Sequence, residues 1–234
     1  MKKLILMCAV AVGLSAVPAQ AALITAANVG QSGTVTFNGN VNSTNVPGLT
    51  AAITFTLDTF DTVTNMIVFT VSVANTSSAP ITDSRISAFG FNTDPNVTGG
   101  SSTSSIFTSV NAWDQTPPPQ QFPNGFGTID VCVINNDNNC QGGGGGGVSL
   151  GDPAHEFQLT LNFLDLTAAG VDFSKFGVRY QSIVGTALGT SGTGQGGPTG
   201  GELFDFDPTV PEPASMVMLG LGLLGAGLAR RRRA

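Results

Sequence analysis

Catalysis requires a nucleophile, a base or a metal, and few residues of this chain could supply one. The single histidine, His155, is followed by Glu156, which begins the H-E-x-x-H spelling that sets two imidazoles around zinc. Leu159 stands where the second histidine is needed, and no G-x-S-x-G nucleophile elbow occurs. Carboxylates pair at Asp58 with Asp61 and at Asp205 with Asp207. Glycosidic hydrolysis needs two carboxyls facing each other across a substrate, which closeness in sequence does not establish. Turn formation is the plainer use of such aspartates. No catalytic residue is expected.

Ligand chemistry is similarly sparse. Asn92, Asp94 and Asn96 alternate, and Asp130, Asp137 and Asn139 flank a second oxygen-rich stretch. An EF-hand loop requires glycine where Val97 stands, and Asx-rich loops form backbone-bonded turns without any ion. Neither a metal nor a cofactor is expected. Gly220-Leu221-Gly222-Leu223-Leu224-Gly225 spells a dinucleotide loop, but it lies inside an apolar run and not between a strand and a helix. Trp113, the only tryptophan, stands near a run of prolines and is the candidate platform for stacking a sugar ring, with ordinary packing against Phe107, Phe122 and Phe126 as its plainer role.

Three cysteines occur. Cys8 lies in the N-terminal apolar run, which leaves Cys132 and Cys140 as a pair that in an oxidising compartment reads as one disulfide closing a short loop. A thiolate metal site would need further sulfur or histidine that the chain does not offer nearby.

The compartment is indicated by the two ends. Lys2 and Lys3, an apolar run from Leu4 to Val17 and the small residues Ala19 and Ala21 form a secretion signal that predicts cleavage before Ala22. At the other end come Val210, Pro211, Glu212 and Pro213, an apolar segment from Ala214 to Ala229, then Arg230, Arg231, Arg232 and Arg233. As a helix that segment spans about 24 Å, enough for a short membrane crossing. The arginines act as a stop-transfer block that keeps their end cytoplasmic, which leaves the main domain outside.

Proline, glutamate, proline, a Gly- and Leu-rich helix and an arginine cluster, in that order, resemble the PEP-CTERM sorting signal over about residues 210–234. The resemblance implies processing by exosortase, a membrane peptidase for which Pro211, Glu212 and Pro213 would be the recognition element. It also implies transient anchoring in the inner membrane and a later place at the cell surface or outside it. Because such systems accompany exopolysaccharide production, it further implies a structural or adhesive role in the envelope or exopolysaccharide layer. A carbohydrate-binding module and a secreted hydrolase are the alternatives.

Between the ends, residues 22–210 carry 14 acids against three bases, Arg85, Lys175 and Arg179, a net charge of −11. Phosphate binding depends on clustered cations, so nucleic acid is excluded as an expected partner. Low charge with abundant Thr, Ser, Asn, Gly, Val, Ile and Phe suits an all-β extracellular domain. Apolar residues alternate with polar ones at Val35 and Phe37, at Ile53, Phe55 and Leu57, and at Ile67, Phe69, Val71 and Val73, the period of a half-buried strand. Asp58 to Asp61 reads as the turn of a hairpin whose second strand starts at Val63. Further strands are expected at Ser84–Phe91, Thr128–Ile134, Glu156–Phe163 and Phe176–Ile183. The predicted organisation is a signal peptide over 1–21, an antiparallel β-sandwich or jelly roll over 22–185, a Gly/Ser/Thr-rich linker over 186–209 and the sorting signal over 210–234.

Overall fold

The computed structural model describes residues 22–112, 120–135, 140–141 and 145–198. From the N-terminus the strands are β1 (Ala22–Ile24), β2 (Ser32–Val41), β3 (Thr44–Asp61), β4 (Met66–Asn75) and β5 (Asp83–Asp94). Next come β6 (Val97–Ser102), β7 (Ser109–Ala112), β8 (Gln120–Phe122), β9 (Gly127–Ile129) and β10 (Val131–Ile134). The last four are β11 (Val148–Ser149), β12 (His155–Phe163), β13 (Val171–Val184) and β14 (Gly192–Pro198). One 3₁₀ turn, Ala26–Asn28, follows β1 and is capped at its start by Thr25, whose hydroxyl accepts from the Ala27 N–H. None of the described helices is long and apolar enough to cross a membrane. The expected signal peptide and tail helix lie outside the described residues.

All pairings among the described strands are antiparallel, in keeping with strands that bury one face and expose the other. In β2, β4 and β12 every second residue is buried, and β3 keeps the same rhythm from Leu49 to Leu57. Phe55, Phe69, Phe89, Phe91, Phe107, Phe157, Phe173 and Phe176 meet in one cluster. Phe55 lies edge-on to Phe69, Phe89 and Phe91, with ring centroids 5.9–6.3 Å apart, and Phe91 packs on Phe173 at 5.3 Å and on Phe176 at 5.9 Å. Edge-to-face rings at such separations add to the burial of their area.

The expected sandwich is corrected in its layering. Ten strands hydrogen-bond in one continuous path, β6-β12-β4-β3-β2-β14-β13-β5-β10-β7, and the two ends of that path, β6 and β7, pack beside each other. The result is one sheet curled nearly into a barrel. Period-two alternation tells which side of a strand faces the core, but not whether the sheet closes on itself. Near-closure leaves little exposed strand edge.

Two local readings also change. β3 continues through Asp61, so the hairpin turn falls later than expected. The Asp61 carboxylate holds that turn by accepting from the N–H groups of Val63 at 2.8 Å and Thr64 at 3.3 Å and from the Thr64 hydroxyl at 2.7 Å. These bonds draw the Asp61 carboxyl below its usual pKa, and Val63, 89% exposed, sits on the turn and not in a strand. Within the expected linker, Gly192–Pro198 forms β14, an interior strand of the sheet paired with β13 on one side and β2 on the other. Its glycines are required by close approach. A Cβ on Gly196 would collide with the Phe37 ring and come within 2.6 Å of Val35 Cγ1, and one on Gly194 would lie 3.0 Å from Tyr180 Cε2.

Candidate functional site

Burial on both faces marks where the sheet is covered from outside. Ile86 to Phe91 in β5, all of β10, and Phe176 to Tyr180 in β13 are buried on both sides. The cover is the segment carrying the β8–β9 hairpin. It docks where two glycines are direct cross-strand partners, Gly90 and Gly177. Ile129 fills the space that a Gly90 side chain would occupy, and the Phe126 ring lies over Gly177, where an added Cβ would be 2.7 Å from Phe126 Cζ. Lys175, in a left-handed conformation at a bulge of β13, closes this contact. Its ammonium lies 5.6 Å from the centre of the Phe126 ring and donates to the Thr128 carbonyl at 2.7 Å.

Downstream the same cover is tied by the Cys132–Cys140 disulfide, the pairing expected from the sequence. Both sulfur-bearing residues are buried in a small cluster with Ala88, Phe122, Ile129 and Ile134. Arg179, only 9% exposed, reaches from β13 to donate to the carbonyls of Gln141 at 2.8 Å and Gly192 at 2.9 Å. Burial lowers the pKa of its guanidinium, which nonetheless stays protonated. Its neighbour Tyr180 is fully buried, and burial pushes its phenol far up, so the hydroxyl stays neutral.

The residues singled out for chemistry are distributed as follows. His155 Nε2 lies 2.7 Å from the Ser104 hydroxyl, a serine–histidine contact that sequence spacing did not reveal. Ser104 Oγ also accepts from the N–H groups of Ile106 at 3.0 Å and Phe107 at 2.8 Å. With two backbone N–H groups donating to it, that oxygen fixes the turn after β6. Asp58 accepts from the Thr70 hydroxyl at 2.7 Å, and Asp61 caps its own turn, so each carboxylate of this pair is engaged locally. Asn92 and Asp130 do meet: Asn92 Oδ1 accepts from the Asp130 N–H at 3.2 Å, and Asp130 Oδ2 accepts from the Thr93 N–H at 3.0 Å. Burial raises the Asp130 pKa, against the lowering effects of the Thr93 bond and Lys175, while Asp94 adds to the rise. Among the described residues no three His, Cys, Asp or Glu side chains gather as a metal site. Trp113, Asp137, Asn139, Asp205, Asp207, the signal residues Ala19 and Ala21, Pro211 to Pro213 and Arg230 to Arg233 lie outside the described residues.

One cleft borders the cover. It encloses about 700 Å³ and is lined by residues including Arg85, Ser105, Ile106, Thr108, Asn135 and Ser149, with Gly145 to Gly147 along one wall. Arg85 is held in place by donating to the Gly145 carbonyl at 2.9 Å and to Gln181 Oε1 at 2.8 Å. Asn135, 4% exposed, donates through Nδ2 to the Gly146 carbonyl at 2.8 Å, while its Oδ1 is buried without a hydrogen-bond partner. No motif in the sequence distinguishes this asparagine.

Residues 209–233 match the family model of the PEP-CTERM protein-sorting motif, so the chain carries that sorting signal at its C-terminus. A signal of this kind implies export to a surface or extracellular destination, with exosortase as the processing partner. No curated protein and no solved structure matches the chain.

Proposed function

We propose that the chain is a non-enzymatic protein of the bacterial envelope or exopolysaccharide layer. It is secreted through its N-terminal signal, held transiently in the inner membrane by its tail, and released or transferred outward by exosortase. The observation that carries this reading is the sorting motif over residues 209–233, joined to an antiparallel all-β domain closed by a disulfide. Stable disulfides belong to oxidising compartments, which supports an extracytoplasmic life. An interior in which hydroxyls and amides serve as turn caps favours a structural over a catalytic role, and the engagement of Ser104 Oγ by two backbone N–H groups weighs against a serine hydrolase.

Intact mass of the protein recovered from the surface of producing cells, compared with cells lacking exosortase, tests the reading. The expected product begins at Ala22 and ends near Pro211, with Cys132 and Cys140 oxidised; without exosortase the tail persists. Full-length, unprocessed chain in the cytoplasm of normal cells would refute it, and turnover of a glycan or ester by the purified protein would reverse the non-enzymatic assignment.

A further inference from the structure

The near-barrel has one seam, where the terminal strands of the hydrogen-bonded path, β6 and β7, lie side by side without being neighbours in that path. A Cβ on Gly100 would lie 2.8 Å from Val110 Cγ1 across it, so the two strands approach closely. The segment that joins them, residues 103–108, bends after Ser104. Ser104 is 7% exposed, and its Oγ accepts from the N–H groups of Ile106 at 3.0 Å and Phe107 at 2.8 Å. This bend delivers Phe107 to the core, 5.6 Å from the Phe89 ring and 5.7 Å from the Phe157 ring.

A hydroxyl offers two lone pairs and one hydrogen. With two backbone donors on the oxygen, the hydrogen is what remains for its third neighbour, His155 Nε2 at 2.7 Å. Nε2 therefore accepts, and the imidazole is neutral with its proton on Nδ1. A second proton would turn Nε2 into a donor, so that three donors converge on one oxygen whose own hydrogen has lost its acceptor. The surroundings offer that added charge no counter-ion, and an unpaired charge is costly to bury. His155 is on the inward face of β12, with the Phe107 and Phe157 ring centres 6.1 and 5.8 Å away. β4 brings Ser72, Val73 and Ala74 beside it, and neither residues 103–108 nor β7 contains a titratable group. From β5 comes Phe89, packed on the Phe157 ring, while Arg85 of that strand is bonded to the Gly145 carbonyl and Gln181. In its own stretch, Glu156 lies on the outward, exposed face of β12, and the Asp152 carboxylate accepts from the Ser149 N–H at 2.8 Å. We propose that the His155–Ser104 contact is a proton-operated latch on the barrel seam: neutral His155 holds the bend that carries the chain from β6 to β7, and protonation releases it while the hydrogen-bonded path persists. The latch is a property of the domain and does not depend on the export reading.

The test uses the full chain in detergent micelles and exploits its single histidine, which gives one set of imidazole signals. With isotope-labelled histidine, long-range proton–nitrogen correlation NMR at about pH 8 is expected to show Nδ1 protonated and Nε2 bare. Amide exchange then reads the bend. The protection factors of Ile106 and Phe107 are expected to fall about tenfold between about pH 8 and pH 5, against a ceiling of about thirtyfold set by the protonation of a free imidazole at the lower value. Val71, in the middle of β4, is expected to keep its protection. His155→Gln retains an acceptor for the Ser104 hydroxyl and takes up no proton, so its two bend amides are expected to be equally protected at both pH values. Three results would each overturn the proposal: Nε2 carries the proton at the higher pH, Ile106 and Phe107 lose no more protection on acidification than Val71 does, or His155→Gln shows the same acid-side loss as the parent. The tautomer and exchange measurements on the parent stand even where the variant fails to fold.

Discussion

Adjacent glycines near the end of β14 offer the sharpest check on the fold, because a linker and an interior strand predict opposite behaviour for them. Gly196 and Gly197 differ in what an added methyl would meet. At Gly196 it collides with the Phe37 ring and crowds Val35; at Gly197 nothing lies within 4 Å. Neither position needs a left-handed backbone, so replacement by alanine restricts the unfolded chain in both cases and by itself stabilises by about 0.4–1 kcal/mol. Gly197→Ala should show that gain. Gly196→Ala must add the cost of forcing a methyl into a packed core, about 1–3 kcal/mol, and Phe37, buried under neighbouring strands, has little room to yield. In a domain of this size one kcal/mol moves the melting temperature by about 2–4 °C, so the two variants should move it in opposite directions, with Gly196→Ala several degrees below the parent. Thermal melting followed by circular dichroism reads the result. Equal effects would refute the placement of β14 between β2 and β13, since residues of a solvated linker tolerate alanine alike.

Replacing Cys132 and Cys140 together by serine opens a loop of sequence separation 8 and should lower stability by about 2–3 kcal/mol in urea titration, with dithiothreitol producing a similar loss in the parent. Asp130→Asn should flatten one limb of the stability–pH curve. Because burial raises this carboxyl above its ordinary value of 3.8, the parent loses stability as pH rises from that value through the folded pKa, and the asparagine variant lacks that loss. Asp61 acts with the opposite sign. Its lowered pKa gives stability that is present above 3.8 and lost as pH falls through the folded value, and Asp61→Asn should remove that acid-side loss. Phe55→Ala, which empties the centre of the ring cluster, should cost about 3–5 kcal/mol in the same denaturant assay.

What the amino-acid sequence reveals depends on whether a side chain advertises its environment. Ile67, Phe69, Val71 and Val73 do so through strict alternation, and their strand lies where the pattern put it. Cys132 and Cys140 also do so, because few other pairings were open to them. β14 carries glycine at 192, 194, 196 and 197, and glycine has no side chain from which periodicity can be read, so a packed strand and a flexible linker look alike. The same blindness hid the cross-strand pair Gly90 and Gly177, whose role is the space they leave for Ile129 and Phe126. Asn135 belongs to no motif that the sequence displays. Its interest lies in one buried oxygen without a partner, a property of three dimensions alone.

The position of β14 also constrains when the domain can fold. Its partners are β2, near the start of the chain, and β13, so the path from β2 to β13 runs through the last described residues. Pairing Pro198 with Val35 closes a loop of more than 160 residues and must follow the emergence of nearly the whole domain. Long-range antiparallel pairing of this kind is slow, and until it occurs β2 and β13 expose unpaired edges liable to join other chains. On the export that the sorting signal implies, these edges stay open until residue 198 has crossed, only a dozen residues before the Pro-Glu-Pro motif. A tail that retains the chain at the membrane after that point would give the last strand time to insert before release. The expected consequence is that truncation after Thr209 raises the aggregated fraction of exported protein, whereas truncation before Gly192 prevents the fold from closing at all; sedimentation of periplasmic extracts distinguishes the two. Equal solubility of the full chain and both truncations would remove the kinetic role assigned here to the tail.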